Sequence, residues 1–295
     1  GCEGTAIAEI GEMYEAGVVA ISDGDEFIDS AALMRNVMRY SRMFDLPIMT
    51  HCEDRSLSGK GVMNEGYTAS CLGLSGMPRE AEELQVARNI LLAEITGARL
   101  HIAHVSTGGS VRMVRDAKKR GLQVTCETCP HYFALTEEAV EDYNTFAKVN
   151  PPLRTQEDVE AILEGIADGT IDAIASGHSP TSRTDKDKEF GNAAYGISAL
   201  ETAFSISFTR LVETGIISLA RLVELMSKKP AEILKLEQKG EIAVGKDADL
   251  IVIETKGTQI IEPELFASKA KFSPFVGQEV KGRVVYTIVG GKIVS

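Results

Sequence analysis

Apolar residues along this chain gather in short runs rich in β-branched side chains: VVAIS (18–22), LPIMTH (46–51), RLHIAHVS (99–106), QVTCET (123–128) and DAIAS (172–176). Near-continuous apolar character, rather than strict alternation, predicts parallel strands covered on both faces. Between the runs the apolar spacing changes to three and four. Leu84, Ala87, Leu91 and Ile95 define a stripe on a helix over 80–97. A second helix follows Thr155, a natural N-cap, with Val159, Ile162, Leu163 and Ile166 on one face. A helix over 110–120 stops at Gly121, and Leu200, Phe204, Phe208 and Leu211 form a further stripe. Strand and helix in alternation predict βαβ units in a parallel sheet or barrel, with five strands where a closed (β/α)8 barrel needs eight. From residue 241 the pattern changes. EIAVGKDADLIVIE and GRVVYTIVGGKIVS read as strands with a turn at Gly290-Gly291. The expected domains are therefore a partial barrel over 1–240 and a small β portion over 241–295. The opening GCEGTAIAEIGEMYEAG is helical in pattern, with no strand before it, and reads as a start inside a domain.

Composition narrows the function classes. Among 295 residues, 44% are hydrophobic and 25% charged, with a net charge of −12. That balance suits a protein with a real core and argues against nucleic acid or an anionic membrane as partner. No apolar stretch approaches the roughly 18 residues of a membrane span, and a cytoplasmic location is the expectation. Five scattered cysteines fit a reduced compartment. Cys126 and Cys129 make one CxxC, but no second pair completes a structural zinc site.

His51 closes the second strand run and His104 lies near the end of the third. Two histidines at the C-terminal ends of neighbouring parallel strands would stand side by side at a barrel mouth, as ready metal ligands. His101, three residues before His104, should point to the opposite face and serve the scaffold. Asn150 precedes Pro151-Pro152 in KVNPPLR, where fixed backbone would hold its amide in one orientation for a ligand.

HCED, VMNEG, IAHVSTGGSV, TCPHYFALT, FAKVNPPLR, DGTIDAIASGHSP, YGISALETA, GKDADLIV and SPFVGQEVKGRVVYTIVGGKIV occur in this order. Together they resemble the class I dihydroorotases of the amidohydrolase superfamily, from about residue 4 to the C-terminus. The resemblance implies a metal-dependent-hydrolase (β/α)8 TIM barrel, here with about five of its eight strands, plus a small β-sandwich. It implies reversible, zinc-dependent hydrolysis of the cyclic amide of dihydroorotate to N-carbamoyl-L-aspartate, in de novo pyrimidine biosynthesis. Carried over by residue, it makes His51 and His104 metal ligands and Asn150 a contact to the substrate ring. The implied partners are the small-molecule substrate, further copies of the chain, and aspartate carbamoyltransferase.

The match is incomplete. The family's His-x-His strand, the arginine after it and the next two barrel strands correspond to nothing in this sequence. The bridging carboxylate aligns with Gly24, flanked by Asp23 and Asp25. The proton-shuttling aspartate aligns with Gly177, and a carboxylate-binding histidine with Thr181. His178, next to the vacant position, is expected to be a scaffold residue. The alternative expectation is thus a catalytically inactive dihydroorotase homologue or fragment serving as an assembly partner. For the chain as it stands, the expectation is substoichiometric zinc and no turnover above background. An incomplete barrel would also expose sheet edges, which predicts either tight self-association or a repacked arrangement.

Overall fold

The computed structural model describes residues 4–24 and 27–295. They fall into two units, Gly1–Thr128 with Arg154–Asp172, and Cys129–Leu153 with Ala173–Ser295. All five strands expected from the apolar runs are present. The first unit holds β1 (Ile21–Ser22), β2 (Ile48–Thr50), β3 (Leu100–Ile102) and β4 (Val124–Thr128), and the second holds β5 (Ala173–Ile174). β1 to β4 pair in chain order, each parallel to the next. Ile48 stands opposite Leu100 and Thr50 opposite Ile102. That register sets the residues just past Thr50 and Ile102 at the same end of the sheet.

The connecting helices start and stop where local chemistry dictates. In α1 (Ile10–Glu15) only Ile10 is buried. The Ser30 side chain accepts the Leu33 amide to open α2 (Ala31–Arg42). α3 (Glu80–Thr96) carries Glu80, Glu82 and Glu83 in its first turn, favourable to its dipole, and ends at Gly97 with φ +68°. Thr107 caps α4 (Gly108–Lys119), whose last turn carries Lys118 and Lys119. Thr155 caps α5 (Gln156–Asp168), as expected.

One face expectation fails. Leu84, Ala87, Leu91 and Ile95 all lie on the exposed side of α3, with Ile95 63% accessible. The buried side instead presents Ala81, Glu82, Gln85, Val86, Asn89, Ile90 and Ala93. Polar partners made this possible. Gln85 donates to Asp54, while the Asn89 amide reaches Thr50 Oγ1 and Cys52 Sγ. With the Gln85 and Asn89 amide nitrogens partnered, this face could be buried and the larger aliphatics left outside.

In the second unit, α6 (Leu200–Ser207) packs Ile206 against Ile261, Phe266, Phe275 and Val280. β6 (Leu250–Glu254), β7 (Arg283–Val289) and β8 (Lys292–Ile293) form an antiparallel sheet. The β7–β8 hairpin turns at Gly290-Gly291, both with positive φ, as a two-residue turn of the favoured hand requires.

Candidate functional site

His51 and His104 meet in the first unit. His51 Nδ1 lies 3.1 Å from His104 Nε2, with ring centroids 4.7 Å apart. The strand register accounts for this: His51 follows Thr50, Ala103 follows its partner Ile102, and the Ala103 amide donates to the Thr50 carbonyl. His104 comes one residue later, at φ +38°. On the far side of the His51 ring, Nε2 lies 3.0 Å from Glu53 Oε2. In the tautomer whose Nε2–H donates to that carboxylate, the Nδ1 lone pair faces His104. Such a carboxylate–histidine arrangement is the usual support of a metal-binding imidazole. Two nitrogens about 2.05 Å from a common tetrahedral ion lie about 3.3 Å apart. The pair therefore fits two positions of one metal's shell. Among the described residues no group of three His, Cys, Asp or Glu side chains forms a complete metal site.

Asp23, just past β1, turns toward the same strand end. Its Oδ1 accepts the His51 amide at 3.0 Å, and burial lifts its carboxyl to about 6. The turn after β1 thus does what strand alternation alone would forbid. Gly24 has φ +68°, with open space where a Cβ would stand. Asp25 lies outside the described residues.

Sequence reasoning missed the support beneath His104. Buried Glu82 of α3 accepts four hydrogen bonds, from the amides and hydroxyls of Ser106 and Thr107. Arg154 is also buried, and donates to Ser106 Oγ, Asn64 Oδ1 and the Met77 carbonyl. Glutamate in a predicted first turn reads as a dipole partner, so its inward direction left no signal. His101 is a scaffold residue, as expected. It is buried, with Nδ1 2.8 Å from Thr125 Oγ1 and Nε2 3.3 Å from Glu127.

The second unit carries the other candidates. Asn150 sits in the loop before Pro151, whose carbonyl accepts the Tyr132 hydroxyl at 2.8 Å. Gly177, past the end of β5, has φ +64°. A Cβ there would stand 2.5 Å from His131 Cε1 and 3.0 Å from Cys129 Sγ. The place where a catalytic carboxylate was expected is thus closed by two buried side chains. His131 Nδ1 has no hydrogen-bond partner among the described residues, and burial lowers its pKa to about 3. His178 Nδ1 accepts the amides of Ala199 and Leu200 at the start of α6, which is the scaffold role expected of it. Thr181 Oγ1 is buried with no partner among the described residues.

Parallel strands followed by helices, with histidines at consecutive strand ends, define a class of hydrolase. The amidohydrolase family matches residues 5–294, and the chain belongs to it. Within that family it is similar to proteins called dihydroorotase. It is 51% identical over 293 residues to that of Caldanaerobacter subterraneus subsp. tengcongensis, covering 99% of this chain and 68% of the relative. It is 48% identical to that of Acetivibrio thermocellus, covering all of this chain and 69% of the relative. Among solved structures, L-hydantoinase (dihydropyrimidinase) from Arthrobacter aurescens superposes with a TM-score of 0.87 at 29% identity, over 97% of this chain and 67% of that one. D-hydantoinase from Thermus sp. gives 0.87 at 24% identity, over 98% and 67%, a likeness of fold alone. The α/β barrel-type hydrolase fold and the dihydroorotase resemblance read from the sequence both stand.

Proposed function

We propose that this chain is a dihydroorotase-like amidohydrolase that binds dihydroorotate and N-carbamoyl-L-aspartate and interconverts them slowly. The observation that carries the reading is the His51–His104 nitrogen pair, backed on one side by Glu53. His51 and His104 would hold a zinc ion, with Asp23 bonded to the His51 amide, and the ion would supply a Lewis acid for the amide carbonyl and a more acidic water. Asn150 orients the substrate ring, and the Thr181 hydroxyl has a proton to offer the substrate carboxylate. Gly177 offers no group to carry a proton to the leaving nitrogen. Proton transfer of that kind contributes about 10²–10⁴-fold, and turnover is reduced accordingly. The activity belongs to pyrimidine biosynthesis in the cytoplasm, in a self-associating chain able to engage aspartate carbamoyltransferase.

The crowding at Gly177 favours a second reading, in which the chain binds these ligands without turning them over. Dihydroorotate hydrolysis with added zinc, alongside calorimetric binding of both compounds, separates the two. Binding with turnover supports the first reading and binding alone the second. Absence of binding removes both.

A further inference from the structure

Two lysines are buried in the second unit, Lys148 at 2% and Lys186 at 0% accessibility. The Lys148 ammonium donates to the carbonyls of Phe190, Gly191 and Ala193, at 2.7, 3.1 and 2.8 Å. Lys186 reaches the other way, to the carbonyls of Thr145 at 2.9 Å and Lys148 at 3.1 Å. The Lys148 carbonyl also takes the Gly196 amide at 3.0 Å. Each lysine therefore holds the backbone of the segment that carries the other. Residues 145–148 and 183–196 are laced together by ammonium–carbonyl bonds. Lys148 also lies over the Tyr195 ring, 4.6 Å from its centroid.

This is a costly way to join two loops. Burial lowers both lysines to about 8, and for Lys186 the Lys148 charge adds to the effect. Apolar side chains of similar volume would often hold two segments at lower cost. What ammonium–carbonyl bonds add is a defined position for the backbone. The backbone so fixed ends two residues before Asn150.

We propose that Lys148 and Lys186 are positioning residues that set Asn150 for the substrate ring. The proposal rests on the ring-binding reading of Asn150. Loss of one well-placed hydrogen bond to the ring weakens binding by up to about 10-fold. Calorimetric titration with dihydroorotate and with N-carbamoyl-L-aspartate tests it on the parent, Lys186→Met and Lys148→Met chains. The expected result is affinity weakened by about 10-fold, with zinc stoichiometry unchanged because His51 and His104 belong to the other unit. Lys186→Arg, which keeps the charge and its donors, should recover most of the loss. A general structural role would lower zinc content and affinity together, with no recovery by arginine. Folded methionine variants with parental affinity would overturn the proposal. Should a methionine variant not fold, Lys186→Gln is titrated with the same two outcomes. If the parent binds neither compound, the ring-binding reading fails on its own account. Amide hydrogen exchange over 145–150 in Lys186→Gln then judges the lacing, with faster exchange expected and unchanged exchange contradicting it.

Discussion

Gly24 and Gly177 both stand where the dihydroorotase resemblance implies a carboxylate, but their surroundings differ. At Gly24 a side chain meets open space, so Gly24→Ala should cost about 1–2 kcal/mol for its left-handed backbone alone. At Gly177 the same backbone cost is joined by collision with the His131 ring and the Cys129 thiol. Overpacking adds about 1–3 kcal/mol, and urea unfolding should show Gly177→Ala as the more damaging change. Equal costs would mean that the His131 ring moves aside easily. The histidine pair was legible because strand ends and polar punctuation are plain in a sequence. Glu53 stands within HCED, where nothing in the residue pattern marks it as the partner of the ring two residues before it. Glu53→Gln should weaken zinc binding by about 10–100-fold, as read by competition with a chromogenic chelator. Unaltered affinity would remove Glu53 from the site.

At the scale of elements, the strands and helix caps were legible and the faces were less so. β1 to β5 all fall inside the apolar runs, and Thr155 caps α5 as its side chain predicts. In α3 the periodicity of the large aliphatics pointed outward, because Gln85 and Asn89 found partners inside and Glu82 received the turn after His104. Leu91→Ser on that helix should therefore change stability by less than about 1 kcal/mol. Ile90→Ala, one residue away and buried, should cost about 2–5 kcal/mol. The reverse order in chemical denaturation would restore the face read from the sequence. The Glu82 and Arg154 contacts join residues 24 to 90 positions apart, a pairing that periodicity does not encode.

Across the whole molecule, the buried titratable groups set the pH response. His131 is held neutral, with its folded pKa depressed to about 3 by burial. At this site the unfolded chain therefore binds more protons between about pH 6.5 and 3, and the His131 contribution to stability falls as pH drops through that window, opposed between about pH 6 and 3.8 by Asp23, whose folded carboxyl is raised to about 6. His131→Asn should flatten this acid limb, and an unchanged limb would assign it to other groups. Lys148 and Lys186 are depressed to about 8. Between about pH 8 and 10.5 the unfolded chain again binds more protons, so their contribution to stability rises with pH. The melting temperature of the parent should accordingly gain on Lys186→Met between those values. The fold class and the family were legible from ordered motifs spanning nearly all of the chain, whereas the buried lysines gave no such signal.

The central claim is that a metal-binding histidine pair persists here while the proton-carrying position has closed. Steady-state hydrolysis of dihydroorotate with added zinc, measured beside the Caldanaerobacter relative, tests it most directly. The predicted result is turnover that is lost in His51→Ala and runs at least about 100-fold below that relative. Turnover equal to the relative's, or unchanged in His51→Ala, would contradict it.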